Sequence, residues 1–201
     1  SPADTCAYVT FSAEQARAKS RICRDIAREA GILMASDADT LGEWRTLHGG
    51  GVIAKSAKNL NSIRVSGLMV YDDAYASREE CNSPTIRGQV WERFQSVVMT
   101  RLQGASAIVC GTRWHEDDLI GRLTREHGWQ LINVAAIAEN DNDILGRAVG
   151  EAAWPEQYPV ARCTGPCGHA AHLDEVREMQ GGPNGWSWLA LYQGRPLPMS
   201  G

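Results

Sequence analysis

Asp72 and Asp73 are the residues whose type and spacing most directly suggest chemistry. They close the run Leu68-Met69-Val70-Tyr71-Asp72-Asp73. Four apolar residues read as a buried, rigid strand. Two carboxylates after it would then sit at its C-terminal end, over the crevice where α/β sheets bind ligands. This is the Walker B pattern. Asp72 is suited to hold Mg²⁺ through water, and Asp73 to orient or deprotonate an attacking water. A plainer reading uses the same residues to open a turn or cap a helix.

A second buried strand, Ser-Ala-Ile-Val-Cys at 106–110, is followed by Gly111-Thr112-Arg113-Trp114-His115. Beside a carboxylate-bearing strand, Thr112 offers a hydroxyl and Arg113 a fixed charge that can sense a terminal phosphate. Alternatively, Thr112 or His115 caps the next helix and Arg113 pairs with a nearby acid. Glu116, Asp117 and Asp118 suit the first turn of a helix, where carboxylates favour the dipole. They would serve a metal-dependent nuclease only if they converged with Asp72 and Asp73 on a metal.

Cys163, Cys167, His169 and His172 form C-x-x-x-C-x-H-x-x-H. These residue types suit tetrahedral zinc, although usual sites split into two separated pairs. The alternative is an exposed Gly/Pro loop with incidental thiols. Lys55 ends a near-match to a phosphate-binding loop, GGGVIAKS at 49–56, with Ala54 where the second glycine belongs. Such a loop wraps phosphates with backbone N–H groups and a lysine. Asp72 follows Lys55 so closely that barely one crossover helix fits between them. The true loop is therefore expected upstream of Ser1.

The elements that must hold these residues follow from periodicity and caps. Residues 6–11 (CAYVTF) read as a strand. Ser12 caps a helix over 13–30, stopped by Gly31. Its apolar side is Ala16, Ile22, Cys23 and Ile26. Arg17, Arg21, Arg24 and Arg28 fall on one stripe, which suits a solvated face or, less directly, DNA phosphates. Signals over 36–67 are weak. Ser83 and Pro84 open a helix to about residue 102, with Ile86, Val90, Phe94, Val97 and Val98 on one face. A helix over 115–127 ends at Gly128, and 129–134 reads as a fourth strand. Short helices are expected near 173–180 and 186–193. Trp91, Trp129, Trp154, Trp186 and Trp188 read as core or docking residues. Strands alternating with helices predict an α/β fold with a mostly parallel sheet.

The chain has 201 residues, 43% of them apolar and 22% charged, which is enough apolar material for a core. Its net charge of -4 confines any nucleic-acid contact to local patches. No apolar run approaches the ~20 residues of a membrane span, and residues 1–5 lack a signal-peptide pattern. The scatter of Cys6, Cys23, Cys81 and Cys110 suits buried thiols in a reducing compartment. After Gly150, frequent prolines mark a change of character.

Residues 68–123 as a whole resemble the large terminase subunit of tailed phages and prophages. That family follows its two aspartates with an Arg-Glu-Glu segment, Ser-Pro-Thr-Ile-Arg opening a Trp-containing helix, and Thr-Arg-Trp-His-Glu-Asp-Asp-Leu. Here these are residues 78–80, 83–87 and 112–119. Residues 8–26, 44–51, 145–156 and 190–198 resemble flanking parts of the same ATPase domain. Two features depart from the pattern: Ala74 stands where proline is usual, and SIRVSG at 62–67 is looser than the family's Gly-rich form.

The resemblance implies a P-loop-NTPase-like (ASCE) fold, incomplete in its phosphate-loop strand, over residues 1–150, with Walker B at 68–73 and a coupling motif at 111–115. A short irregular, helical C-terminal subdomain and a linker toward a nuclease domain would occupy 151–201. It implies Mg²⁺ and ATP as cofactors, with Asp72 on the metal, Asp73 catalytic, Thr112 and Arg113 coupling, and Arg64 in the place of a phosphate-reaching arginine. The implied partners are double-stranded DNA, a portal protein, a small terminase subunit and further copies in a homo-oligomeric ring. The implied setting is the bacterial host cytoplasm, transiently at the procapsid portal, with no membrane. Alternatives are a non-catalytic fragment or interaction module, and a metal-dependent nuclease.

Overall fold

A computed structural model describes residues 1, 3–60, 63–126, 128–161 and 172–197. The chain divides into two compact units, Ser1–Gly111 and Thr112–Gly201. The change of composition at Gly150 falls inside the second unit.

The first unit is built on β1 (Thr5–Thr10), β2 (Met34–Asp39), β3 (Glu43–Thr46), β4 (Gly51–Ser56), β5 (Leu68–Asp72) and β6 (Ser106–Cys110). They form one sheet in the order β2-β3-β4-β1-β5-β6. β4, β1, β5 and β6 are mutually parallel, while β2 and β3 are antiparallel additions at one edge. This is an α/β architecture with a mostly parallel sheet. β1 and β5 match the apolar runs, because strands buried in a parallel sheet read as near-continuous apolar sequence; β6 forms where expected but lies at the sheet edge, part-exposed instead of buried.

Helix α1 (Ala13–Glu29) starts at Ser12, whose side chain accepts from the Gln15 N–H, as the cap signal predicts. Its buried side differs from the expected one. Ala16 and Ser20 are buried, whereas Ile22 and Ile26 are more than half exposed. Small residues let the helix approach the sheet closely, and Ser20 accepts a hydrogen bond from Trp44 Nε1 on β3 at 3.2 Å. The arginine stripe is also divided. Arg24 and Arg28 both bind Asp39 at the end of β2, while Arg17 and Arg21 are exposed.

The weak-signal stretch contains the β3–β4 hairpin. Gly49 takes the left-handed conformation at its turn, with φ of 86°. Gly51 is needed for a different reason. A side chain there would meet the Trp44 carbonyl oxygen at 2.1 Å. The consecutive glycines thus serve a hairpin, and Lys55 lies inside strand β4.

Helices α2 (Arg78–Asn82) and α3 (Pro84–Arg93) follow β5. Ser83 caps α3 through the Ile86 N–H, with Pro84 in the first turn. The helical path continues as a π turn at Phe94–Val98 and a 3₁₀ turn at Met99–Arg101. Here Ser96 and Thr100 hydroxyls bond back to the Glu92 and Ser96 carbonyls, competing with regular α pairing. Val90, Phe94 and Val98 are buried, and Phe94 meets Tyr71 edge-on at 5.9 Å.

The second unit holds α4 (Leu119–Glu126), α5 (Leu173–Met179) and α6 (Trp186–Leu191). Ile137, Ala152, Leu173, Trp188 and Leu189 form its core cluster. Trp188 is thus a core residue, whereas Trp154 is 58% exposed. The expected strand at 129–134 is absent among the described residues. Leu131, Ile132 and Val134 are largely exposed, and Asn133 donates to the Gln193 carbonyl at 2.9 Å. An apolar run favours extended backbone but becomes a strand only where a partner edge exists. Arg147 and Asp143 form a nearly enclosed bidentate pair, which holds the Asp143 carboxyl down at about 2.

Gly51→Ala should lower the unfolding free energy by about 2 kcal/mol, because the added methyl overpacks against the β3 backbone. Urea unfolding of the two proteins measures this. Gly42→Ala, where the nearest atom to an added Cβ is the Ala54 oxygen at 4.0 Å, serves as the mild comparison.

Candidate functional site at the ends of β1, β5 and β6

The register decides what gathers at the C-terminal ends of the parallel strands. Tyr8 is level with Val70, Val9 with Tyr71, and Asp72 with Cys110. Alternation then puts Tyr8, Thr10, Asp72 and Cys110 on one face of the sheet. Val9, Met69 and Tyr71 lie on the other, the face against Phe94. Trp44 is level with Val52, and Ala54 with Tyr8, so α1 covers the Tyr8 face. The helices after β1 and β5 therefore leave on opposite faces. Adjacent strands with diverging connections define a topological switch point, the place where open α/β sheets bind ligands.

Asp72 and Asp73 lie at this point. Tyr8 on β1 donates its hydroxyl to Asp72 Oδ2. The Cys110 thiol on β6 donates to Asp72 Oδ1 at 3.2 Å. Both neighbouring strands thus hold the carboxylate. Burial, then the hydrogen bond to Asp72 and its negative charge, push the Tyr8 phenol well above its ordinary range. The same causes, in the same order, push the Cys110 thiol up to about 12.

Asp73 has φ of 47°, in the left-handed region that residues other than glycine adopt uncommonly, Asn and Asp more readily than most. Its backbone is tied on both sides. Its N–H donates to the Cys110 carbonyl at 3.1 Å, and its carbonyl accepts from the Phe11 N–H at 3.3 Å. Gly111 completes the fit, since a Cβ there would lie 3.3 Å from Asp73 Oδ1.

Arg64 falls elsewhere. Ser66 and Gly67, just after it, bond to the Thr5 carbonyl at the opposite end of β1. β5 then runs ~13 Å before reaching Asp72, beyond the span of an arginine side chain. Arg64 is exposed and does not join the carboxylates.

Thr112 and Arg113 open the second unit, directly after Gly111 in the chain. Thr112 is exposed. Arg113 Nε binds both Asp118 oxygens, at 3.0 and 2.8 Å, and Asp118 also caps the Gly121 N–H. Asp117 pairs with Arg122 and Arg125, and its N–H donates to His115 Nδ1 at 2.9 Å. Asp117 and Asp118 thus neutralise local arginines and cap the start of α4. Among the described residues, no group of three or more His, Cys, Asp or Glu side chains gathers to hold a metal.

Of the zinc candidates, Cys163, Cys167 and His169 lie outside the described residues. His172 is buried at the start of α5 and lies 3.7 Å from Glu175. Among the described residues no helix is long and apolar enough to cross a membrane.

Tyr8 and Cys110 were not singled out by the sequence. A tyrosine inside CAYVTF and a cysteine ending SAIVC read as strand-forming residues, and only the register brings them to Asp72.

No protein-family model matches the chain, and no curated protein matches it either.

Site-resolved mass spectrometry after brief alkylation near pH 8 should show Cys23, which is exposed, modified well ahead of Cys110. Asp72→Asn removes the acceptor charge that helps raise the Cys110 pKa, so it should speed labelling at Cys110 and leave Cys23 unchanged.

Proposed function

We propose that the ends of β1, β5 and β6 form the metal-binding and water-activating half of a nucleoside triphosphate hydrolysis site. The observation that carries this reading is the Asp72–Asp73 pair at the switch point, with both backbone and side chain held from the neighbouring strands. Asp72 fits magnesium held through water: each of its oxygens accepts one hydrogen bond and keeps a lone pair. Bound with a nucleotide, magnesium would supply positive charge against the phosphate oxygens. Asp73, fixed in an unusual backbone conformation, would orient the attacking water and accept its proton.

In the fuller form of this proposal the chain is the ATPase part of a terminase-like DNA-packaging motor with a P-loop-type fold. Support comes from residues 68–123, whose succession of motifs resembles the terminase large subunit. It also comes from β6, which among the described residues has one sheet neighbour and so presents an edge where a further parallel strand can pair. Double-stranded DNA, a portal protein, a small subunit and a ring of copies follow from that resemblance as proposals. In this form Thr112 remains a phosphate-sensing candidate. Arg113 acts by shaping the turn through Asp118, or exchanges that partner for phosphate when nucleotide binds.

The second reading is a non-catalytic module of such a motor. It is favoured by the placement of Lys55, which lies within β4 and not in a loop at a helix N-terminus. The first reading needs a phosphate-gripping loop other than the one around Lys55, and the second needs none.

Steady-state ATP hydrolysis tests the proposal. Residues 1–201 alone should turn over little or no ATP. A longer protein that joins a strand and a G-x-x-x-x-G-K-[ST] loop ahead of these residues should hydrolyse it, and Asp73→Asn should lower its kcat about 10²–10⁴-fold. Substantial turnover by residues 1–201 alone, abolished by Asp73→Asn, would refute the external loop. Activity of the longer protein that survives Asp73→Asn would refute the role given to Asp73.

A further inference from the structure

We propose that Tyr8 and Cys110 are positioning residues for the Asp72 carboxylate, setting which of its lone pairs face a bound divalent cation. This rests on the reading of Asp72 as a metal-binding residue and adds two residues to it.

The geometry carries the inference. A carboxylate at the end of a strand can ordinarily rotate about χ2, and water satisfies it equally well in many orientations. Asp72 is held from both sides instead. The phenol comes from β1, and spans the two-residue step between the level of Tyr8 and that of Asp72, ~6.6 Å along the strand. The thiol comes from β6, directly level with Asp72. Each oxygen receives one donor, and the donors come from opposite sides in the sheet direction. The remaining lone pairs are left for a ligand beyond the strand ends. Partners of this kind orient a metal-binding side chain before the metal arrives.

The surroundings make a purely packing role a poor account of these contacts. Tyr8 is only partly buried, so water could satisfy its hydroxyl. Cys110 is likewise partly exposed, and Ile108, on the same face of β6, is 51% exposed. α1 covers this face over β4 and β1, but Tyr8, Asp72 and Cys110 are each only part-buried, so close packing alone does not account for both donors meeting the carboxylate. Both nonetheless converge on the same carboxyl group.

The probe is Mn²⁺ alone, with free ion followed by electron paramagnetic resonance during titration of residues 1–201. The wild type should bind one ion saturably, and Asp72→Asn should weaken binding at least about tenfold. Tyr8→Phe combined with Cys110→Ala should also weaken it by about tenfold, although the Asp72 carboxylate itself remains. Tyr8→Phe combined with Cys110→Ser, which restores one donor, should recover part of the loss. Unfolding midpoints within a few degrees of wild type show that the sheet is intact. Should the double variant instead prove unstable, Tyr8→Phe alone, which keeps the ring, carries the test and should give part of the loss. If Asp72→Asn weakens binding and the Tyr8 and Cys110 variants do not, the positioning role is overturned and the metal site survives. If wild type shows no saturable binding, or Asp72→Asn leaves it unchanged, the metal reading falls and the positioning role with it.

Discussion

The backbone of Asp73 is tied on both sides, its N–H donating to the Cys110 carbonyl and its carbonyl accepting from the Phe11 N–H. Much of the first unit depends on this arrangement. The two bonds extend the pairing of β5 with β6 and β1 one residue past its last regular position. They hold Asp73 at a positive φ that the free residue would populate little. They also fix the point where the chain leaves β5 toward α2 and α3 on one face, while β1 leads to α1 on the other. The backbone of Asp73 and the carboxylate of Asp72 therefore have little freedom to reorganise.

The parts of this fold that were legible in sequence are those where burial dictates composition. β1 and β5 are apolar because neighbours lie on both sides and most of their residues are covered, whereas β6 carries the same kind of run at the sheet edge with Ile108 51% exposed. α1 and α3 announce themselves through Ser12, Ser83 and Pro84, whose side chains satisfy or avoid the unpaired N–H groups of a first turn. The β2–β3 addition carries no such signature. β2 reads MASDAD, a polar edge strand whose identity comes from pairing with β3. On α1 the periodicity pointed to Ile22 and Ile26, but the helix turns its small residues inward. Trp44 fills the space above the sheet, and Asp39 draws Arg24 and Arg28. Residues 129–134 show the opposite error, an apolar run with no strand beside it.

The site divides in the same manner. Asp72 and Asp73 were legible because a strand followed by two acids is a local pattern. Tyr8 and Cys110 were not, because their role exists only across three strands joined by register. Arg64, which the resemblance implies as a phosphate-reaching arginine, lies at the other end of β5, and that strand carries the chain away from it. Arg113 illustrates a limit. Its position after β6 suggested phosphate, and its nearest partner is Asp118, five residues on. A guanidinium matches a carboxylate as well as a phosphate, so sequence left both open.

The central claim is that a metal–nucleotide complex binds at the ends of β1, β5 and β6. Paramagnetic broadening in ¹H–¹⁵N spectra of residues 1–201, titrated with Mn²⁺ alone, reads the metal end of that location directly. The account predicts that the amides of Phe11, Asp73 and Gly111 broaden first, and that Asp72→Asn removes the effect. Broadening centred on other acidic residues, such as Asp141 and Asp143 in the second unit, with the strand ends unaffected, would contradict it.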